Sequence, residues 1–311
     1  MNIVFMGTPD FSVPCLKAVY EAGHHISGVF TQPDKPRNRG HKLSFTPVKE
    51  CAEALGIPVF QPLSLRKGED REKSLEILRE LNPDCIAVVA YGQILPQTIL
   101  DLPKYGCINV HASLLPKYRG AAPIQRCIID GETKTGVTTM HMAAGLDTGD
   151  MILKEEIEIG EKMTASELHD RLSEMGARLL VETLKRLEAG TAPRTVQNDA
   201  DSCYASMLTK EMCRIDFSKP IDEVYNLIRG LSSSPCAYTT LGGKRLKVYF
   251  AEKTGEKTDL PSGTAADDNL GISCGGEILR LTDIQYEGGK RMSAADFLRG
   301  RKTEKGTVFG E

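Results

Sequence analysis

No stretch of this sequence approaches the ~18 to 20 consecutive apolar residues that cross a bilayer. Its opening, MNIVFMGTPD, lacks a basic segment followed by a long apolar one. Neither a membrane anchor nor an export signal is expected. The nine cysteines are odd in number and scattered, with no C-x-x-C and no histidines at metal-ligand spacing. A disulfide framework and a bound metal are therefore not expected; reduced thiols of a cytoplasmic protein are. Tryptophan is absent, and a net charge of -3 excludes a bulk polycation while leaving room for a local basic patch. The chain has no repeat at solenoid periods and no low-complexity tract.

What is present is ordinary globular usage, 41% hydrophobic and 26% charged over 311 residues, a length at which two packed domains are expected. The first two hundred residues alternate short apolar runs with longer amphipathic stretches, which predicts an α/β fold with a Rossmann-like parallel sheet. Strands are expected at Asn2 to Met6, His25 to Phe30, Ile57 to Phe60, Cys85 to Ala90 and Cys107 to His111. Gly136 to Met142 and Met151 to Ile159 read as later strands, the second alternating as an edge or hairpin strand does. Thr164-Ala-Ser-Glu167 is a capping box. It opens a helix whose apolar stripe is Leu168, Leu172, Met175, Leu179, Leu180, Leu184 and Leu187, ended by Gly190. Residues 1–190 are thus expected to form one domain and the polar, periodless 191–203 a linker. Residues 204–311 are expected to form a smaller antiparallel β-barrel, OB-like, with a helix near Ile221 to Arg229 and strands including Arg245 to Ala251 and Glu277 to Ile284.

Gly7 leaves the first strand but is not followed by the two further glycines of G-x-G-x-x-G, so it reads as a tight turn rather than a dinucleotide site. The informative segment is Ile108-Asn109-Val110-His111, because ligands of open α/β sheets gather outside the carboxyl ends of strands. Alternation puts Asn109 and His111 on one face. The glycine-bounded loop Gly145-Leu-Asp147-Thr-Gly-Asp150 supplies carboxylates. An amide, an imidazole and a carboxylate, with no Ser or Cys at a nucleophile elbow, suit a reaction whose nucleophile belongs to the substrate. An incoming amine attacks an acyl carbon, Asn109 and His111 donate to the oxygen on which charge builds, and Asp147 orients His111 or helps remove the amine proton. On spacing alone, a hydrogen-bonded strand-end histidine and a turn aspartate remain the alternative.

Asn109-x-His111 running into Ser113-Leu-Leu-Pro116, followed by the Asp147 loop, resembles the folate-dependent formyltransferase superfamily. The likeness extends through Gly7-Thr-Pro-Asp-Phe, Val29-Phe-Thr-Gln-Pro-Asp, Tyr118-Arg-Gly-Ala-Ala-Pro-Ile-Gln and Gly145-Leu-Asp-Thr-Gly-Asp-Met. It covers the first domain and is similar to the branch whose acceptor is methionine carried by initiator tRNA. In the second domain only Arg214-Ile-Asp-Phe217 and the expected barrel carry it. Tyr118 stands where another aromatic, often Trp, is usual, and Ser234-Pro-Cys-Ala237 replaces a stretch that often bears one.

The resemblance implies that Asn109, His111 and Asp147 are catalytic, and that Ser113, Leu114, Leu115 and Pro116 shape the site for 10-formyltetrahydrofolate. It also implies that no metal is required, that initiator methionyl-tRNA and folate are the partners, and that the chain is a monomer. A long connection, TQPDKPRNRGHKLSFTP, carries Lys35, Arg37, Arg39 and Lys42 against only Asp34. Its cations suit acceptor-stem phosphates, and the likeness sets this insertion, Arg39 above all, on the tRNA. A merely solvated basic loop is the alternative. Further basic sets fall in the second domain, at Lys244, Arg245 and Lys247 and at Lys290, Arg291, Arg299, Arg301, Lys302 and Lys305. Two rival functions are a sugar-amine or nucleotide-amine formyltransferase and a catalytically inactive RNA-binding module.

Overall fold

The computed structural model describes residues 1–37 and 42–311. Among these, no helix is long and apolar enough to cross a membrane. Two compact units divide the chain: Met1–Gly120 with Gly136–Ile157 and His169–Tyr204, and Ala121–Thr135 with Glu158–Leu168 and Ala205–Glu311.

The first unit is built on β1 (Asn2–Gly7), β2 (His25–Phe30), β3 (Val59–Phe60), β4 (Cys85–Val89), β5 (Cys107–His111), β6 (Lys134–His141) and β7 (Met151–Glu158). Their order in the sheet is β7-β6-β5-β4-β1-β2-β3. Every residue of β4 is buried, as an uninterrupted apolar run requires when both faces of a central strand are covered. β7 begins with two buried residues and then alternates half-buried and exposed positions at the sheet's edge, as its sequence predicts. The strands β3, β2, β1, β4 and β5 are parallel neighbours. β6 instead runs antiparallel to β5, so the expected parallel sheet is mixed on that side.

From β1 the chain moves outward to β2 and β3, then returns to the other side of β1 as β4. That reversal opens a crevice at the carboxyl ends of β1 and β4, the usual ligand position in such sheets. Across it Thr8 Oγ1 donates to the Tyr91 carbonyl at 2.8 Å. A side chain on Gly7 would meet the Phe5 ring at 2.8 Å, Ser12 Cβ at 2.9 Å and the Val89 carbonyl at 3.0 Å. Close packing at this junction explains that glycine without a dinucleotide.

The long helix Ala165–Glu188 forms as its capping box predicts. The Thr164 N–H donates to Glu167 Oε2 at 2.8 Å and the Glu167 N–H to Thr164 Oγ1 at 3.3 Å. All seven residues of its apolar stripe are buried.

In the second unit β8 (Ala237–Leu241), β9 (Lys244–Lys257), β11 (Glu277–Tyr286) and β10 (Gly271–Cys274) lie side by side in that order, with β12 (Met292–Ser293) also on β11. The pairs are antiparallel. Register shifts along β9 between Val248 and Ala251 and again after Lys253 add coiling. Single bridges carry the ring round from one edge strand to the other: Leu241 with Phe309, Thr264 with Val308, and Ala265 with Ile272. Ile221, Val224, Ile228 and Leu231 of the helix Ile221–Leu231 share one core with Leu246, Val248, Leu279 and Leu281 of these strands. Each such side chain contributes about 1.5–3 kcal/mol by leaving water.

Candidate active site

β5 sits between β4 and β6 and pairs His111 with Thr138. Its end therefore presents Asn109, half-buried, and then His111, buried, on one strand face. The chain next makes a turn whose polar groups are fully engaged. Ser113 Oγ donates to the Lys117 carbonyl at 2.6 Å, and the Leu115 N–H donates to Thr138 Oγ1 at 3.1 Å. Thr138 in turn donates to the Ser113 carbonyl at 2.7 Å, and Lys154 Nζ donates to that of Leu115. Leu115 packs with Met140 and Met151. Ser113 and Leu115 are thus buried in the turn itself, whereas Leu114 and Pro116 are partly exposed.

The turn ends at Tyr118, whose left-handed backbone (φ 58°) accompanies a carbonyl 2.8 Å from His111 Nε2. A carbonyl only accepts, so Nε2 carries a proton. Nδ1 stands 3.6 Å from Asp147 Oδ2, and both side chains are shielded, 7% and 13% exposed. That separation exceeds a good hydrogen bond but is that of an ion pair when the ring is doubly protonated. The same carboxylate oxygen accepts the Gly120 N–H at 2.8 Å. The expected approach of the Asp147 loop to His111 is present. The turn also folds the Tyr118 carbonyl back onto the ring, so the Nε2 side of His111 faces main chain.

Asp147 adopts a left-handed φ of 52° within its loop. Gly149 lies so close to the preceding strand that a Cβ there would fall 1.7 Å from the His141 carbonyl oxygen. Gln197 closes the arrangement. Its Nε2 donates to the carbonyls of Asp147 at 2.8 Å and Gly149 at 2.7 Å, and its Oε1 accepts from Arg119 Nε at 2.9 Å. Sequence reasoning missed Gln197, because a polar segment without periodicity carries no sign of burial. It also passed over Tyr91-Gly-Gln-Ile-Leu-Pro96, which leaves the most apolar strand at the crevice and exposes Ile94 by 62%. Its position directly after Cys85–Val89 was the available signal.

Lys35–Arg37 pairs with Lys42–Ser44 as a short antiparallel ribbon, Arg37 opposite Lys42, and Lys35 is exposed. Arg39 lies outside the described residues. The lone acid of this segment, Asp34, is held by Lys49 Nζ at 2.6 Å and Gln61 Nε2 at 2.8 Å. Burial opposes its charge, but those two hydrogen bonds outweigh it and hold the carboxyl below its usual range. In the second unit Arg291 pairs with Asp283 over the Tyr249 ring, while Arg245 and Arg301 lie over Tyr238 and Tyr286. Among the described residues, no group of three or more His, Cys, Asp or Glu side chains is arranged to hold a metal.

A strand-end Asn and His with a facing Asp thus stand together beside the reversal of strand order in the α/β sheet. The formyl transferase pattern matches residues 1–184, and the formyl transferase C-terminal domain pattern matches 207–302. The chain belongs to the formyl transferase family. Within it, the chain is 51% identical over 313 residues to the methionyl-tRNA formyltransferase of Geobacter metallireducens, covering 100% of this chain and 99% of that protein. It is 50% identical over 313 residues to that of Clostridioides difficile, covering 100% of each. A solved methionyl-tRNA formyltransferase from Clostridium thermocellum shares the fold, with a TM-score of 0.56 at 19% identity over 83% of this chain and 95% of that one. So does an N-formyltransferase from Helicobacter canadensis in complex with folinic acid and dTDP-3-aminofucose, with a TM-score of 0.68 at 20% identity over 91% and 98%.

Proposed function

We propose that the protein transfers the formyl group of 10-formyltetrahydrofolate to the α-amino group of methionyl-initiator tRNA. The observation that carries this reading is the shielded His111–Asp147 pair at the end of β5 in a chain end-to-end similar to methionyl-tRNA formyltransferases. The amine nitrogen attacks the formyl carbon, a new C–N bond forms, the bond to folate N10 breaks, and one amine proton ends on N10. Asn109 donates its amide N–H to the oxygen as it gains charge, a contribution of about 3–4 kcal/mol for such a donor. His111 and Asp147 manage the proton. An aminoacyl amine is less basic than a lysine side chain, so no strong base is required.

In this reading Ser113 and Leu115 hold the turn from within, and Leu114 and Pro116 offer the folate a partly exposed apolar edge. Lys35, Arg37, Arg39 and Lys42 meet tRNA phosphates, helped by cations of residues 204–311. The protein works in the cytoplasm as a monomer without a metal, residues 1–190 carrying the chemistry and 191–203 joining them to the barrel. The test is to incubate the purified chain with 10-formyltetrahydrofolate and either methionyl-tRNA or an amino-sugar nucleotide, then weigh the products. Formyl on methionine is expected. Formyl on the sugar alone, or on neither, overturns the proposal.

A further inference from the structure

We infer that Gln197 is a positioning residue for the proposed formyl transfer: its side-chain amide clamps the Asp147 loop and thereby sets the distance between Asp147 and His111. The inference rests on that functional reading. Gln197 lies in the segment whose sequence suggests a linker, yet it is 8% exposed. Its three hydrogen bonds to nitrogen and oxygen partners, at 2.7, 2.8 and 2.9 Å, use both donor hydrogens and the acceptor, and Nε2 also lies 4.0 Å from Met140 Sδ. The donors go to the carbonyls on either side of Thr148. The acceptor goes to Arg119, which stands between Tyr118, the carbonyl partner of His111, and Gly120, the N–H partner of Asp147. One amide therefore ties the loop that carries the carboxylate to the stretch 118–120, which supplies a partner to the imidazole and a partner to the carboxylate.

The loop needs such a tie. Asp147 sits in left-handed backbone at φ 52°, a conformation unfavourable for a residue with a side chain and one that persists only where surroundings enforce it. Leu146 beside it is 56% exposed and supplies little packing. The anchor of Gln197 is itself held: Arg119 pairs with Asp199 at 2.8 Å, and the neighbouring Thr195 N–H donates to the Met151 carbonyl at 2.9 Å.

Two variants separate the clamp from simple filling of space. Gln197→Met keeps the volume and removes all three hydrogen bonds. Gln197→Glu keeps shape and an acceptor for Arg119 but presents no donor to the two carbonyls. With 10-formyltetrahydrofolate and methionyl-tRNA as substrates, both are expected to lower kcat up to about 100-fold, as a misplacement of about 1 Å at the reacting groups does, with KM for each substrate unchanged. Amide hydrogen exchange over 143–150 is expected to accelerate, while the melting temperature falls by only a few degrees and the chain stays folded at the assay temperature. Val196→Ser, at an exposed neighbouring position, is the control and should leave all readouts alone. Parent-level kcat and loop exchange in either Gln197 variant overturn the clamp, as does a kcat that falls only in proportion to the folded fraction. A parent protein that formylates nothing overturns the functional reading instead, and loop exchange still decides the clamp.

Discussion

Asp147 Oδ2 accepts the Gly120 backbone N–H at 2.8 Å while standing 3.6 Å from His111 Nδ1. The carboxylate is thus held by the main chain independently of the imidazole. Replacement of Asp147 by Asn keeps an acceptor for Gly120 and deletes only the charge facing His111. We expect kcat to fall ~10²- to 10⁴-fold, the range for losing a proton-transfer group, with tRNA affinity unchanged in a filter-binding assay. Asn109→Ala should cost about 10²- to 10³-fold in kcat, as removal of one oxyanion donor does.

The two glycines bounding that loop should differ sharply. A Cβ on Gly149 meets a carbonyl oxygen at 1.7 Å, whereas one on Gly145 meets the Thr148 side chain, at 2.3 Å. A backbone oxygen cannot step aside, but a threonine can rotate. Gly149→Ala is expected to destabilise by about 3 kcal/mol or more and Gly145→Ala by about 1 kcal/mol, read by urea unfolding.

Asp34 gives a pH signature. Its folded-state carboxyl lies below the ordinary 3.8 because hydrogen bonds from Lys49 and Gln61 outweigh the effect of burial. A depressed carboxyl contributes stability that is present above the unfolded value and lost as pH falls through the folded one. Lys49→Met should therefore lower the melting temperature most near neutrality, and its difference from the parent should shrink below pH 3.8. A difference that grows on acidification would contradict the assignment.

The thiols divide by exposure. Cys203 is exposed and Cys51 partly so; the other seven cysteines are buried. Burial pushes Cys15, Cys107 and Cys274 up to about 12 and Cys127 and Cys236 to about 11, which suppresses the reactive thiolate. Brief iodoacetamide treatment of the native chain should label Cys203 first and Cys51 more slowly. The buried thiols should appear in the mass map only after denaturation.

Most of the sheet was legible because each strand declares itself locally. Cys85–Val89 has no polar interruption, and Met151–Glu158 alternates as an edge strand does. The long helix carries its own start signal in Thr164 and Glu167. Asn109 and His111 were legible for the same reason, since two residues of separation on a strand fix a common face. What could not be read depends on segments distant in sequence. The antiparallel pairing of β6 with β5 is set by register between remote segments. Gln197 looks like any residue of a polar connection until the Asp147 loop is folded beneath it. Tyr118 gives no sign in sequence that its carbonyl will meet the His111 ring.

The basic ribbon offers the sharpest test of tRNA binding. Lys49 and Gln61 already occupy Asp34, so the acid at the foot of the ribbon is engaged within the protein and does little to offset its cations. Removing one phosphate-neutralising cation should reduce the slope of log affinity against log salt by roughly 0.7 to 0.9. Combined Arg37→Ala, Arg39→Ala and Lys42→Ala replacement is therefore expected to weaken tRNA binding at low salt and to flatten that slope by about 2 to 3. Turnover at saturating tRNA should change far less, because none of the three is assigned a part in the chemistry. An unchanged slope would make these cations a solvated face and move the search for phosphate-binding residues to Lys244, Lys247 and their neighbours in the second unit.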